Sequence, residues 1–217
     1  MRAEGAPVGM TRDTRERMAF SHLTIEYDAR VLEPRPWTAM QSRWAAELIP
    51  GSPVGRVLEL CAGAGHIGLL AVSLASRPLV CVDLNPAACE LTRHNAALAG
   101  LDADVEVRCG DLADVVPPGE EFGVVIADPP WVPAADTGRF PEDPLLAIDG
   151  GDDGLTVARQ CLRVASGSTA DGGHVLIQLG TPEQARQLAT EAAGTALDLV
   201  EIREGERGVV ARFDRVS

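Results

Sequence analysis

From Arg56 to the C-terminus, short β-branched runs alternate with stretches of helical character, and that alternation restricts the fold more than any other feature. The runs are RVLELC, LVCVD, VEVRC, GVVIAD and HVLIQLG, followed by LDLVEIRE and GVVARF close together. Near-continuous apolar strands separated by helix-length segments are the pattern of a parallel sheet buried on both faces. The last two runs are separated by little more than Gly205-Glu206-Arg207, too short for a helical crossover, so they are expected to pair antiparallel. The expected fold is α/β, with a mostly parallel seven-stranded sheet, a C-terminal antiparallel hairpin and helices on both faces.

Helix starts are legible within this frame. Asn85-Pro86 and Thr181-Pro182 each set a capping side chain before a proline at the first helical position, and Thr38 precedes Met40, Trp44 and Leu48 at four-residue spacing. Residues 1–19 show no periodicity and are expected to form a flexible tail, with residues 20–217 as one domain. A chain of 217 residues, 46% hydrophobic and 24% charged, suits a single core of that size.

Composition also excludes classes. No apolar run reaches the length of a membrane span, and the first residues lack the apolar stretch of a signal peptide, so a cytoplasmic protein with no membrane partner is expected. The five cysteines, Cys61, Cys81, Cys89, Cys109 and Cys161, are odd in number without a C-x-x-C pair and read as reduced core residues. His22, His66, His94 and His174 are scattered, none at ligand spacing from a cysteine, so no metal site is expected. A net charge of -13 repels polyanions, and beyond Arg12, Arg15 and Arg17 no basic residues gather; nucleic acid is an unlikely partner, and a small molecule, protein or peptide is favoured. The chain has no lysine, which carries no mechanism.

The first strand runs into GAGHIG, Gly63 to Gly68, where a helix begins. Such a loop serves any ligand that approaches the backbone closely, and equally a tight turn. Gly63 and Gly65 are the candidate ligand-binding glycines, followed by Asp83 at the end of the next strand, placed to accept from ribose hydroxyls, and Asp111 at the end of the third, placed at an adenine edge. Glycine loop, acid and acid along one carboxyl edge point to an adenosine cofactor. Glu59, inside the first strand two residues before Cys61, would be unwelcome beside a pyrophosphate and suits a cationic amino acid group, so S-adenosyl-L-methionine is favoured over NAD. Cys61, Leu84 and Leu112, adjoining these positions, complete the expected contact set.

The segment IADPPWVP ends an apolar strand in an acid, two prolines and a tryptophan. A proline turn continues no sheet and starts no helix easily, but holds a side chain and a carbonyl in one orientation. Taken in order, VLEPRPWTAM, VLELCAGAGHIGL, VDLNP, ADPPWVP and EDPLLAIDGGDDGL resemble the Rossmann-like class I methyltransferase domain of HemK/PrmC-type glutamine N5-methyltransferases, over most of the chain from about Phe20. The resemblance implies a site where an Asn-Pro-Pro-Tyr segment grips a planar nitrogen, its side-chain oxygen and a backbone carbonyl accepting the two protons while the aromatic packs on the face. Those roles fall to Asp128, Pro129, Pro130 and Trp131, with Arg35 and Pro36 closing over the donor and Glu142 facing the substrate. The plain alternatives are a turn acid for Asp128, a core aromatic for Trp131, a kinked lead into a helix for Arg35-Pro36 and a solvated acid for Glu142. The chain departs from the family pattern in two ways. Asp128 replaces Asn, as in methyltransferases that modify exocyclic amines of bases, and little precedes the PRPWT segment, so the family's N-terminal helical recognition domain is expected to be missing.

The function expected is S-adenosylmethionine-dependent methyl transfer to a planar nitrogen, an amide, guanidine or amine, of a small molecule or protein side chain. The competing readings are a methyltransferase-like subunit that binds a partner without catalysis, a nucleic-acid amine methyltransferase and an NAD-linked oxidoreductase. His66, within the glycine loop, is given no role.

Overall fold

The structure, a computed structural model, describes residues 15–216. Seven strands form the main sheet: β3 (Arg56–Leu60), β4 (Leu79–Asp83), β5 (Val105–Cys109), β6 (Phe122–Ala127), β7 (Thr169–Leu179), β8 (Leu197–Glu204) and β9 (Val209–Arg215). These are the seven apolar runs, in the order β5-β4-β3-β6-β7-β9-β8. β3 to β7 pair parallel, while β9 runs antiparallel to both β7 and β8. Alternate residues along each strand enter different cores: Leu58, Leu60, Val125 and Ala127 face one, Val57, Cys81, Val124 and Ile126 the other. That two-sided burial is why the central runs β3, β4 and β6 are largely apolar, whereas the edge strands β5 and β8 alternate with charged residues.

One face is covered by α1 (Ala39–Leu48) and α2 (His66–Ala75), with α3 (Pro86–Leu98) behind β4 and β5, and the other by α6 (Thr156–Ser168) and α7 (Pro182–Ala192). Two single-turn helices, α4 (Leu112–Val115) and α5 (Leu145–Ile148), lie in the loops after β5 and β6. Asn85 and Thr181 cap α3 and α7 as expected, accepting from the N–H groups of Ala87 and Gln184. Thr38 does not cap α1 in that way: its backbone is already helical after a 3-10 turn over Pro36–Thr38, and its hydroxyl donates back to the Arg35 carbonyl at 2.8 Å.

The tail expected over residues 1–19 lies mostly outside the described residues, but its last part is a strand. β1 (Glu16–Phe20) and β2 (Leu23–Tyr27) form a hairpin of their own. Phe20 and Ile25 are buried, and Asn95 of α3 accepts from the Glu26 N–H at 2.8 Å while donating to the carbonyls of Glu26 and Ala64 at 2.9 Å each. One buried amide thus ties the hairpin to the glycine loop. Of the cysteines, Cys81, Cys89 and Cys161 are buried and all five are free, but Cys109 is exposed, because it ends an edge strand. No helix among the described residues is long and apolar enough to cross a membrane.

Candidate active site

The strand order reverses between β3 and β6: the chain winds outward to β4 and β5 on one side and to β7 on the other. In open α/β sheets that reversal opens a crevice at the carboxyl ends of the strands. Leu60 pairs with Ala127, so Cys61 at the start of the glycine loop and Asp128 at the start of the proline turn leave adjacent strands side by side, the Asp128 N–H reaching the Leu60 carbonyl at 3.4 Å.

Each glycine of the loop answers a separate steric demand. Gly63 has φ +56 with open space where a Cβ would point, and its N–H donates to Asp83 at 2.8 Å. Gly65, φ +77, would drive a Cβ to 2.8 Å from the Thr92 side chain, so its role is to let α2 begin against α3. Gly68 would place a Cβ 2.4 Å from a carboxyl oxygen of Glu59. That last contact relocates Glu59. Its carboxyl is buried beneath the loop, accepts from the Gly68 N–H at 2.9 Å and from the Cys81 thiol at 3.2 Å, and lines neither of the two cavities described below. Since Gly65 has no side chain to cap α2, Glu59 supplies the acceptor for the first turn from the neighbouring strand. Burial raises its pKa to about 7.

A first cavity runs along the tips of β3, β4 and β5. Gly63, Asp83, Leu84, Asp111 and Leu112 line it, with Cys61, Arg35, Asp128 and Pro130 at its inner end. Asp83 accepts from the N–H groups of Gly63 and Asn85, one on each oxygen at 2.8 Å, which fixes the carboxylate and leaves further lone pairs for a ligand. Burial raises its pKa. Leu84 lines the cavity and is 57% exposed, an apolar surface suited to a planar ligand. Asp111 caps α4 through the Ala113 N–H. Arg30 is held by Asp28 and Glu90, and Arg35 by Asp143, so the cavity's arginines are neutralised, while among the described residues no ion pair reaches Asp83 or Asp128. These residues fit a nucleoside that carries a positive charge at the inner end. S-adenosylmethionine bound there would be held by Gly63, Asp83, Leu84, Asp111 and Leu112 and would supply an electrophilic methyl group.

A second cavity shares Arg35, Thr38, Asp128 and Ala147 with the first and extends past Pro129 and Trp131 to Trp37, Gln178 and Arg207. Asp128 therefore stands in the wall common to both. Among the described residues no hydrogen bond reaches its carboxylate, and burial alone raises its pKa to about 7. The turn-acid alternative requires such bonds. Trp131 lines the second cavity with its ring packed over Gly180, where a Cβ would lie 2.5 Å from the ring, and its backbone carbonyl accepts from Gln184 at 3.1 Å.

The structure thus gathers most of the expected residues around two adjoining chambers, but not all. Pro36, Gly65, Glu59 and Glu142 line neither. Pro36 opens a 3-10 turn, and Glu142 points to solvent, while its neighbour Asp143 turns inward to accept from Arg35 at 2.7 Å. Missed by the sequence reading were Asp143, Gln178, Arg207 and His66. His66 is buried, lines the first cavity and has its pKa lowered to about 3 by burial. The Thr38 hydroxyl spends its proton on Arg35, so His66 donates from Nε2 to that oxygen at 3.3 Å and keeps an unprotonated Nδ1. The alternation of Gly and His in the loop carried no signal for this.

Comparison with known proteins agrees with the geometry. The family described as Methyltransferase small domain matches residues 41–140. The chain is 36% identical over 189 residues to the release factor glutamine methyltransferase of Deinococcus radiodurans, covering 81% of this chain and 66% of the relative. It is 30% identical over 211 residues to the ribosomal protein uL3 glutamine methyltransferase of Burkholderia pseudomallei, covering 87% and 67%. The chain therefore spans about two thirds of the length of these relatives. In fold it is similar to the ribosomal protein L11 methylase of Lactobacillus delbrueckii subsp. bulgaricus, with a TM-score of 0.64 at 14% identity over 93% of this chain and 99% of that one. With the glycine loop, the acid that ends β4 and the proline turn after β6 all meeting at one sheet edge, the chain belongs to the S-adenosylmethionine-dependent class I methyltransferases of the HemK/PrmC type.

Proposed function

We propose that this protein transfers a methyl group from S-adenosylmethionine to a planar side-chain nitrogen of a protein, the amide of a glutamine, with the donor in the first cavity and the acceptor in the second. The observation that carries the reading is the unpartnered Asp128 carboxylate in the wall the two chambers share, beside two prolines and the Trp131 indole. The relatives' names give glutamine side chains as their acceptors.

An amide nitrogen is a poor nucleophile because its lone pair is delocalised, so orientation and proton removal dominate the barrier. Pro129 and Pro130 restrict the backbone so that the Asp128 side chain and the carbonyls of the turn present acceptors in fixed directions. A side-chain NH2 that donates to them has its plane set, with Trp131 against one face and its other face toward the methyl group. As the nitrogen–carbon bond forms and the carbon–sulfur bond breaks, the nitrogen must lose a proton, and ionised Asp128 is the group positioned to take it. A pKa of about 7 makes this carboxylate a far better base near neutrality than an ordinary aspartate while leaving a large fraction ionised. Uncompensated acids at the cavity's inner end also favour the sulfonium charge.

The test is transfer from S-adenosylmethionine labelled in its methyl group into a cell extract, followed by separation into protein, nucleic acid and small molecules and enzymatic digestion of the protein. Label recovered as N-methylglutamine, absent with Asp128→Ala, is the expected result. Label confined to nucleic acid or metabolites overturns it.

A further inference from the structure

The second cavity holds two arginines, and only one is neutralised. Arg35 pairs with Asp143 at 2.7 Å and with Glu33 at 3.5 Å. Arg207 has no carboxylate partner among the described residues, although the chain carries a net charge of -13. Both guanidinium groups lie against Trp37, at 5.8 Å for Arg35 and 5.6 Å for Arg207. Stacking on an aromatic face leaves the in-plane N–H groups of a guanidinium free to donate.

The position of Arg207 is built. It sits in the turn between β8 and β9, closed by the Gly205 N–H donating to the Gly208 carbonyl at 3.0 Å. Gly208 has φ +70, and a Cβ there would lie 2.4 Å from the Leu179 carbonyl, so the turn is seated on the end of β7 as only glycine allows. The buried Gln178 amide reaches the carbonyl of Arg207 and that of Leu179, each at 3.4 Å. Since Ala127 pairs with Ile177, Gln178 near the end of β7 lies beside Asp128, and Arg207 is hung over the same chamber from the next hairpin.

We propose that Arg207 binds an anionic group of the methyl acceptor, so that the peptide segment delivering the acceptor side chain carries a carboxylate next to it. The inference rests on the reading of the second cavity as the acceptor chamber. The cavity then offers one uncompensated acid for the N–H groups and one uncompensated cation for the flanking charge, and these two fix the direction in which the segment enters. A single arginine on a strongly acidic molecule suits one carboxylate and not the repeated phosphates of a nucleic acid. Ion pairs with one partner at the rim contribute modestly, so the preference expected is about fivefold.

The probes are the peptides acetyl-Glu-Gln-Gly-amide, acetyl-Gln-Gln-Gly-amide and acetyl-Lys-Gln-Gly-amide, titrated by calorimetry into the full chain with and without S-adenosylhomocysteine. The wild type is expected to bind the glutamate peptide about fivefold more tightly than the glutamine peptide and the lysine peptide most weakly. Arg207→Gln is expected to abolish the ranking and Arg207→Glu to reverse it, while S-adenosylhomocysteine still raises the melting temperature of both variants, showing an intact fold and donor cavity. The proposal is overturned by a wild type that binds none of the three, by one that ranks them equally, or by a ranking that survives Arg207→Gln. Arg207-dependent binding of a short RNA in place of the peptides overturns it in favour of phosphate. A wild type that S-adenosylhomocysteine does not stabilise at all refutes the donor site instead, and with it the proposed function.

Discussion

At the scale of single residues, Asp128 carries the account, and its ionisation can be read in two ways. Its folded pKa of about 7 lies above the ordinary carboxylate value, so ionising it costs stability: the contribution is intact below the ordinary value of about 3.9 and is lost as pH rises from there through 7. Asp128→Asn should therefore leave the melting temperature at pH 4 nearly unchanged and raise stability at pH 8 by roughly 1–3 kcal/mol, less than the full shift implies because the carboxylate opens onto a cavity. In catalysis the ionised form is the active one, so kcat/KM should climb through about pH 7 and level off, a titration that Asp128→Asn removes. Asp83→Ala should weaken S-adenosylhomocysteine binding at least tenfold in calorimetry, since it removes both a ligand acceptor and the tie to the Gly63 N–H. The identities of these two residues were legible because Asp83 ends a strand and Asp128 follows directly on one. Glu59 was not, since nothing local says whether a strand acid faces a cavity or a helix start, and here the Gly68 N–H takes it. Asp143 was displaced by its neighbour Glu142 for a similar reason: which of two adjacent acids turns inward is decided by Arg35, more than a hundred residues away.

At the scale of elements, the glycine loop works because Gly63 takes a left-handed backbone while Gly65 and Gly68 solve two packing problems, the second against the Glu59 side chain. Gly68→Ala would bring a methyl group to 2.4 Å from that carboxyl and should cost about 1–3 kcal/mol in denaturant unfolding. Glu59→Ala relieves the clash but loses the helix cap, so the double variant should be less destabilised than the sum of the two singles. Additive losses would show that the two residues do not meet. The central strands of the main sheet were legible because burial on both faces makes them nearly continuous apolar runs, and the edge strands β5 and β8 because their β-branched and aliphatic residues alternate with charged ones. β1 and β2 escaped notice because a two-stranded ribbon with one packed face buries only Phe20, Leu23 and Ile25 among its hydrophobic residues, with Met18 and Tyr27 partly covered, too few apolar positions to stand out among Glu16, Arg17, Thr24 and Glu26. The β8–β9 turn was legible as a turn, but its position over the acceptor chamber follows from Gly208 and Gln178, which meet only in the fold.

At the scale of the whole molecule, the topology brings a loop after β3 and a loop after β6 together, sixty-odd residues apart in sequence but on paired strands. The crevice this creates holds two chambers with Asp128 between them. The measurement that tests this most directly is a crystal structure with S-adenosylhomocysteine. The account predicts adenosine along the tips of β3, β4 and β5 between Leu84 and Leu112, with its hydroxyls on Asp83, its sulfur toward Asp128, and the chamber beside Trp131 left open. A ligand lying in the Trp131 chamber, or one whose sulfur faces away from Asp128, would contradict it.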